Sequence, residues 1–105
     1  MTHNQLVLTT AGSKEEAHLI ARTLVERRLA ACVNIVPQVD SVYRWQGKVG
    51  EAQEFLLLVK TLDTAFAEVC SAIKELHSYE VPECISVTIE DGSAPYLKWL
   101  AESVE

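Results

Sequence analysis

Positive charge is scarce in this chain. Nine lysines and arginines face fifteen aspartates and glutamates, for a formal net charge of −6. Nucleic acid and anionic membrane surfaces both require clustered Lys and Arg, so neither is an expected partner. Glycine is scarce too: four residues lie scattered among 105, which excludes a glycine-rich phosphate cradle. No apolar run is long enough to span a bilayer. Met1-Thr2-His3-Asn4-Gln5 carries neither the basic nor the apolar part of a secretory leader, so the expected address is the cytoplasm. Cysteine is limited to Cys32, Cys70 and Cys84, an odd set with no C-x-x-C pair. Without a leader they are expected to be reduced, small buried hydrophobes rather than ligands or nucleophiles.

What is present suits a globular protein. Hydrophobic residues make up 49% of the chain, and no linker or internal repeat divides it, so residues 1–105 are expected to form one domain. A domain of this size buries roughly two-thirds of its unfolded surface, enough for one core.

Hydrophobic periodicity then orders the elements. Leu6-Val7-Leu8-Thr9-Thr10 is a short β-prone run. Ser13-Lys14-Glu15-Glu16 has the form of a capping box, followed at helical spacing by Ala17, Ile20, Ala21 and Leu24, with Arg27 and Arg28 in the last turn. Ala31–Val36 predicts a second strand. Pro37 interrupts it at a bulge or edge, and extended chain resumes over Ser41–Gln46. The turn is expected at Gly47 to Gly50. Phe55-Leu56-Leu57-Leu58-Val59 predicts a strand covered on both faces. Asp63 is a candidate N-cap for a helix carrying Phe66, Val69, Cys70, Ile73 and Leu76. Ile85, Val87 and Ile89 alternate with polar residues in a half-buried strand. Ser93 opens a last helix with Tyr96, Trp99 and Leu100 on one face. The order β-α-β-β-α-β, plus a C-terminal helix, is that of an α+β ferredoxin-like domain. An RNA-binding module shares it, but Glu54–Val59 lacks the exposed basic and aromatic residues such a module needs.

The hairpin is too long for a single copy. An extended limb over residues 31–46 would reach about 50 Å, so its tip must project past the helices. That tip carries Val42, Tyr43 and Trp45, with Tyr43 and Trp45 on one face. A two-stranded ribbon is marginal in water and exposed aromatics call for a covering surface, so these three residues are expected at an oligomer interface. The alternative is a hairpin folded back over its own sheet at Pro37.

His77-Ser78-Tyr79-Glu80-Val81-Pro82-Glu83 concentrates an imidazole, a phenol and two carboxylates between a helix and a strand. His77 suits a metal ligand, and equally a residue capping the helix C-terminus. Glu80 and Glu83 suit acid–base work or a hard cation, or a solvated loop. Pro82 holds Val81 extended. Lys60 is a strand-end cation that either snorkels or faces an anion. No nucleophile has an obvious base beside it, and no enzyme activity is expected.

Taken in order, Leu29–Ile35, Ser41–Gly47, Lys60-Thr61, His77–Glu83 and Tyr96-Leu97-Lys98-Trp99 resemble the CutA family of divalent-cation tolerance proteins over nearly the whole chain. The resemblance implies a cytoplasmic, non-enzymatic homotrimer, similar in architecture to the PII signal-transduction proteins, that binds copper or another divalent metal. A PII-like sensor with a small ligand in the intersubunit clefts is the alternative it carries, with Lys60, Tyr79 and Glu83 as cleft residues. The family's copper ligands correspond here to Thr9, Leu76 and His77, so only His77 retains a metal-binding side chain.

Overall fold

The computed structural model describes residues 3–105; Met1 and Thr2, part of the stretch considered for a leader, lie outside them. In chain order the elements are β1 (Asn4–Ala11), α1 (Lys14–Glu26), β2 (Cys32–Trp45), β3 (Lys48–Leu62), a 3-10 turn (Asp63–Ala65) that runs into α2 (Phe66–Leu76), β4 (Ile85–Thr88) and α3 (Ala94–Ser103). This is the element order expected from the sequence. The strands form one sheet in the order β2-β3-β1-β4, antiparallel at every pairing.

Helix α1 starts where the polar signal placed it. Ser13 is extended and its Oγ accepts the Glu16 N–H at 3.1 Å. Ala17, Ile20, Ala21 and Leu24 are buried on one stripe. They pack with Val69 and Ile73 of α2 over the sheet face that carries Val7, Leu57 and Val59. Each large apolar side chain buried here contributes about 1.5–3 kcal/mol relative to exposure. Thr61 joins this interior by donating its hydroxyl to the Leu29 carbonyl at 2.6 Å. Leu100 of helix α3 and Val104, the residue after it, join the same core.

Several local expectations are corrected. Helix α1 ends at Glu26, so Arg27 is its C-cap and Arg28, at φ 60°, has left the helix. The two arginines serve tertiary contacts instead: Arg27 with Glu75 at 3.3 Å, and Arg28 with the Glu102 carbonyl at 3.1 Å. Asp63 does not cap α2; it begins the 3-10 turn and pairs with His3 at 2.9 Å. The hairpin turn is Gln46-Gly47, both at positive φ, because Trp45 pairs directly with Lys48. Gly50 lies within β3 opposite Tyr43, whose ring stands where a Cβ would be, 2.9 Å away at the nearest atom.

The sheet is not covered on both faces. Directly opposed residues of antiparallel strands share a face, so Leu6, Leu8, Leu56, Leu58, Ile85 and Val87 all lie opposite the helix-covered side. Leu56 and Leu58 are half-buried, while Ile85 and Val87 in the short edge strand β4 are 53% and 52% exposed. Pro37 sits on edge strand β2 at a register shift between Val36 and Val39, a bulge as expected. Beyond it the hairpin outruns the sheet. β1 pairs with β3 only over Phe55–Leu62, so Val39–Glu54 is a two-stranded ribbon. Val42, Tyr43 and Trp45 on that ribbon are 68%, 46% and 45% exposed. It does not fold back onto its own core, and the longest dimension of the chain is 44 Å.

The cysteines also depart from expectation. Cys70 of α2 and Cys84, just before β4, are joined by a disulfide, with Cα atoms 5.9 Å apart. Their spacing of 14 residues gives no sign of this; the fold closes it by returning the chain alongside α2. Cys32 is free and half-buried.

Candidate functional site

The open sheet face and the ribbon root enclose a cavity of about 890 Å³. Thr10 contributes from β1, Asp40, Ser41, Tyr43 and Trp45 from β2, Glu54 from β3, and Tyr79, Glu80, Val81 and Glu83 from the segment between α2 and β4. Glu54 is the chemical centre of this wall. It is only 8% exposed, although alternation puts it on the same face as Leu56 and Leu58. Tyr79 donates its phenol hydroxyl to Glu54 Oε2 at 2.7 Å. Burial, the largest influence, pushes the Glu54 carboxyl upward. Hydrogen bonds from Ser41, Tyr79 and Thr10 pull the other way, and the net shift is below the ordinary carboxylate value. The Tyr79 phenol is pushed above its ordinary value, first by burial and then by the bond to Glu54 and the charge there. The pair is therefore a carboxylate accepting from a neutral phenol at neutral pH.

The segment bearing Tyr79 is anchored by a second set of bonds. The His77 side chain is fully buried. Its backbone stands at the C-cap of α2 and donates to the Ile73 carbonyl at 2.9 Å. Its ring turns away from that helix: Nε2 meets the Thr10 carbonyl at 2.5 Å and Nδ1 receives the Tyr79 N–H at 3.1 Å. A backbone carbonyl only accepts and a backbone N–H only donates, so these partners assign the neutral tautomer with the proton on Nε2. Glu16 closes the network. Its carboxylate lies 3.6 Å from His77 Nδ1 and accepts both the Ser78 N–H and, at 3.0 Å, the Ser78 hydroxyl. Gly12 lets Tyr79 pass; a Cβ there would stand 3.0 Å from the phenol oxygen.

The fold brings Tyr79, Glu80 and Glu83 to one cavity with the ribbon residues Val42, Tyr43 and Trp45, and leaves His77, Thr9, Leu76 and Lys60 outside its lining. His77 lies beneath Tyr79, ring centroids 4.4 Å apart, with both nitrogens engaged. Thr9 is fully buried on the opposite side of β1, and its hydroxyl has no hydrogen-bond partner among the described residues. Leu76 packs against the core. Lys60 sits at the other end of the open face beside Leu6 and Cys32, its Nζ 5.7 Å from the Tyr96 ring centroid. Val42, Tyr43 and Trp45 stand on the ribbon at the cavity's outer wall. Glu54 and Glu16 were not singled out from the sequence. A carboxylate in phase with Leu56 and Leu58 on an apolar strand was the available signal for Glu54, because such a group demands donors. Glu16 looked complete as a capping-box residue.

The fold and cavity together define a small α+β domain with a projecting ribbon and an acidic, aromatic-lined cleft. The chain belongs to the CutA1 divalent ion tolerance protein family, whose model matches residues 5–103. It is 54% identical over 99 residues to a divalent-cation tolerance protein CutA from Thermus thermophilus, covering 94% of this chain and 96% of that one. It is 41% identical over 96 residues to the human protein CutA, of whose length it spans 54%. A solved Thermus thermophilus divalent cation tolerance protein superposes with a TM-score of 0.95 at 52% identity, covering 97% of this chain and 99% of that one. CutA from Xylella fastidiosa superposes with a TM-score of 0.96 at 36% identity, covering 99% and 100%. Among the described residues no helix is long and apolar enough to cross a membrane.

Proposed function

We propose that the chain is a ferredoxin-like subunit of a homotrimeric, non-enzymatic divalent-cation tolerance protein of the cytoplasm. In this reading its cation site lies in clefts between copies. The carrying observation is the ribbon Val39–Glu54, whose exposed Val42, Tyr43 and Trp45 flank the cavity. A second copy laid on the ribbon would cover these side chains and complete the cavity in one step. The accessible surface agrees with a subunit built for assembly. A monomer of 11.7 kDa exposes about 5,900 Å², whereas this chain exposes 6694 Å².

The donors fit some metals better than others. Asp40, Glu54, Glu80 and Glu83 supply oxygen to the cavity, which suits hard divalent cations. Copper at His77 requires the ring to release Thr10 or Tyr79. Among the described residues no group of three His, Cys, Asp or Glu is placed to hold a metal ion, so a neighbouring copy must supply further donors. The alternative, a PII-like sensor, draws support from the cavity's size and its Tyr43, Trp45 and Tyr79 rings, which are those of an organic-ligand site.

Light scattering on the eluted protein tests the assembly; a particle of one chain's mass at micromolar concentration rejects it. Calorimetric titration of the apo-protein with Cu(II), Zn(II) and Mn(II), alongside a thermal-shift screen of nucleotides and other metabolites, separates the two ligand readings. Stabilisation by an organic compound alone replaces the cation reading with the sensor.

A further inference from the structure

We propose that Cys70 and Cys84 form a redox-operated tether that fixes the cavity rim, holding the segment Ser78–Glu83 in place when oxidised and loosening it when reduced. The inference concerns the segment's order and stands whether or not the cavity binds a cation. Three observations carry it. The disulfide ties the residue that ends this segment, just before β4, back to Cys70 within α2, the helix that precedes it. Between them Ser78–Cys84 belongs to neither helix nor strand. The strand that follows is a four-residue edge strand that pairs with Gln5–Leu8, and all its residues are exposed, so at the segment's far end it is Cys84 that packs against the core. At its near end the segment is held by Glu16 and His77, and in the middle by Tyr79 on Glu54. Past Tyr79, the Cys84 sulfur is the covalent anchor for Glu80, Val81 and Glu83, which line the cavity.

The chemistry is thiol–disulfide exchange with a low-molecular-weight disulfide as oxidant. One protein thiolate attacks the small disulfide, forming a mixed disulfide and releasing one small thiol. The second protein thiolate attacks the mixed disulfide at the protein sulfur and releases the other. Two electrons pass from the cysteine pair to the oxidant, and the two cysteine protons leave with the two small thiols. A thiol-rich compartment drives the reverse reaction, so the tether would report on the redox poise around it.

The test compares wild-type protein equilibrated with oxidised glutathione against the same protein in excess dithiothreitol. Thiol trapping with mass spectrometry reads the Cys70–Cys84 state, and amide hydrogen exchange reads the segment. The expected result is a bond formed under glutathione disulfide, and exchange over residues 78–84 about tenfold or more faster after reduction, with α1 and β3 unchanged. Cys70→Ser/Cys84→Ser should match the reduced wild type and ignore dithiothreitol; Cys32→Ser should behave as wild type. Equal exchange in the two wild-type states overturns the proposal, as does a pair that stays reduced in excess glutathione disulfide. Neither outcome depends on the serine variant folding.

Discussion

The phenol of Tyr79 donates a 2.7 Å hydrogen bond to Glu54, tying the loop after α2 to the root of the projecting ribbon. The two residues are 25 positions apart and come from elements that share no ladder. The bond ends on the carboxylate of a residue only 8% exposed, so its loss leaves a buried charge short of a donor. Tyr79→Phe is expected to destabilise the fold by about 1–3 kcal/mol. Urea unfolding of Tyr79→Phe, Glu54→Gln and the double variant should show a coupling between the two sites; additive effects would remove the pair as an energetic unit.

The same carboxylate sets a pH dependence. Its folded pKa lies below the unfolded value, so its contribution is present above the unfolded carboxylate pKa and is lost as pH falls through the folded one. Wild-type stability should therefore drop more steeply on acidification than that of Glu54→Gln. Tyr79 acts at the other end. Its folded pKa is raised, so its contribution is complete below the ordinary phenol pKa and is lost as pH rises through the folded one. Tyr79→Phe should flatten the alkaline limb. Chemical denaturation from pH 3 to 11 measures both slopes.

Trp45 provides a test of assembly. It is 45% exposed near the end of the two-stranded ribbon. If a second copy buries the ring, Trp45→Ala should cost about 3–5 kcal/mol per subunit, and sedimentation should show dissociation at concentrations where the wild type stays assembled. An unchanged association constant would place the interface elsewhere.

The parts of this fold visible in the sequence are those carried by period and punctuation. Ile20 and Leu24 announce a buried helical stripe, Ser13 its start, and Pro37 the bulge, because each acts through its own local backbone. The site is less visible, because its bonds run between distant segments. Nothing local links Thr10 to His77, Glu16 to Ser78 or Cys70 to Cys84; only the sheet order β2-β3-β1-β4 brings them together. The apolar run Phe55–Val59 shows the same limit. An uninterrupted apolar strand reads as covered on both sides, yet within this chain the helices cover one side and leave Leu56 and Leu58 on the other.

Glu16 connects the helix start to the loop, and its two roles separate by substitution. As the residue whose N–H meets Ser13 Oγ, it contributes to capping through its backbone, which any residue but proline preserves. Its carboxylate alone holds the Ser78 N–H and hydroxyl and faces His77 Nδ1 at 3.6 Å. Glu16→Ala should therefore leave α1 helicity unchanged while costing about 1–3 kcal/mol for the donors it strands. Amide exchange at Ser78 and Tyr79 should accelerate, with the first turn of α1 staying protected. Glu16→Gln, which keeps one acceptor oxygen, should recover part of the loss. Faster exchange throughout α1 would show instead that the side chain serves the helix and not the loop.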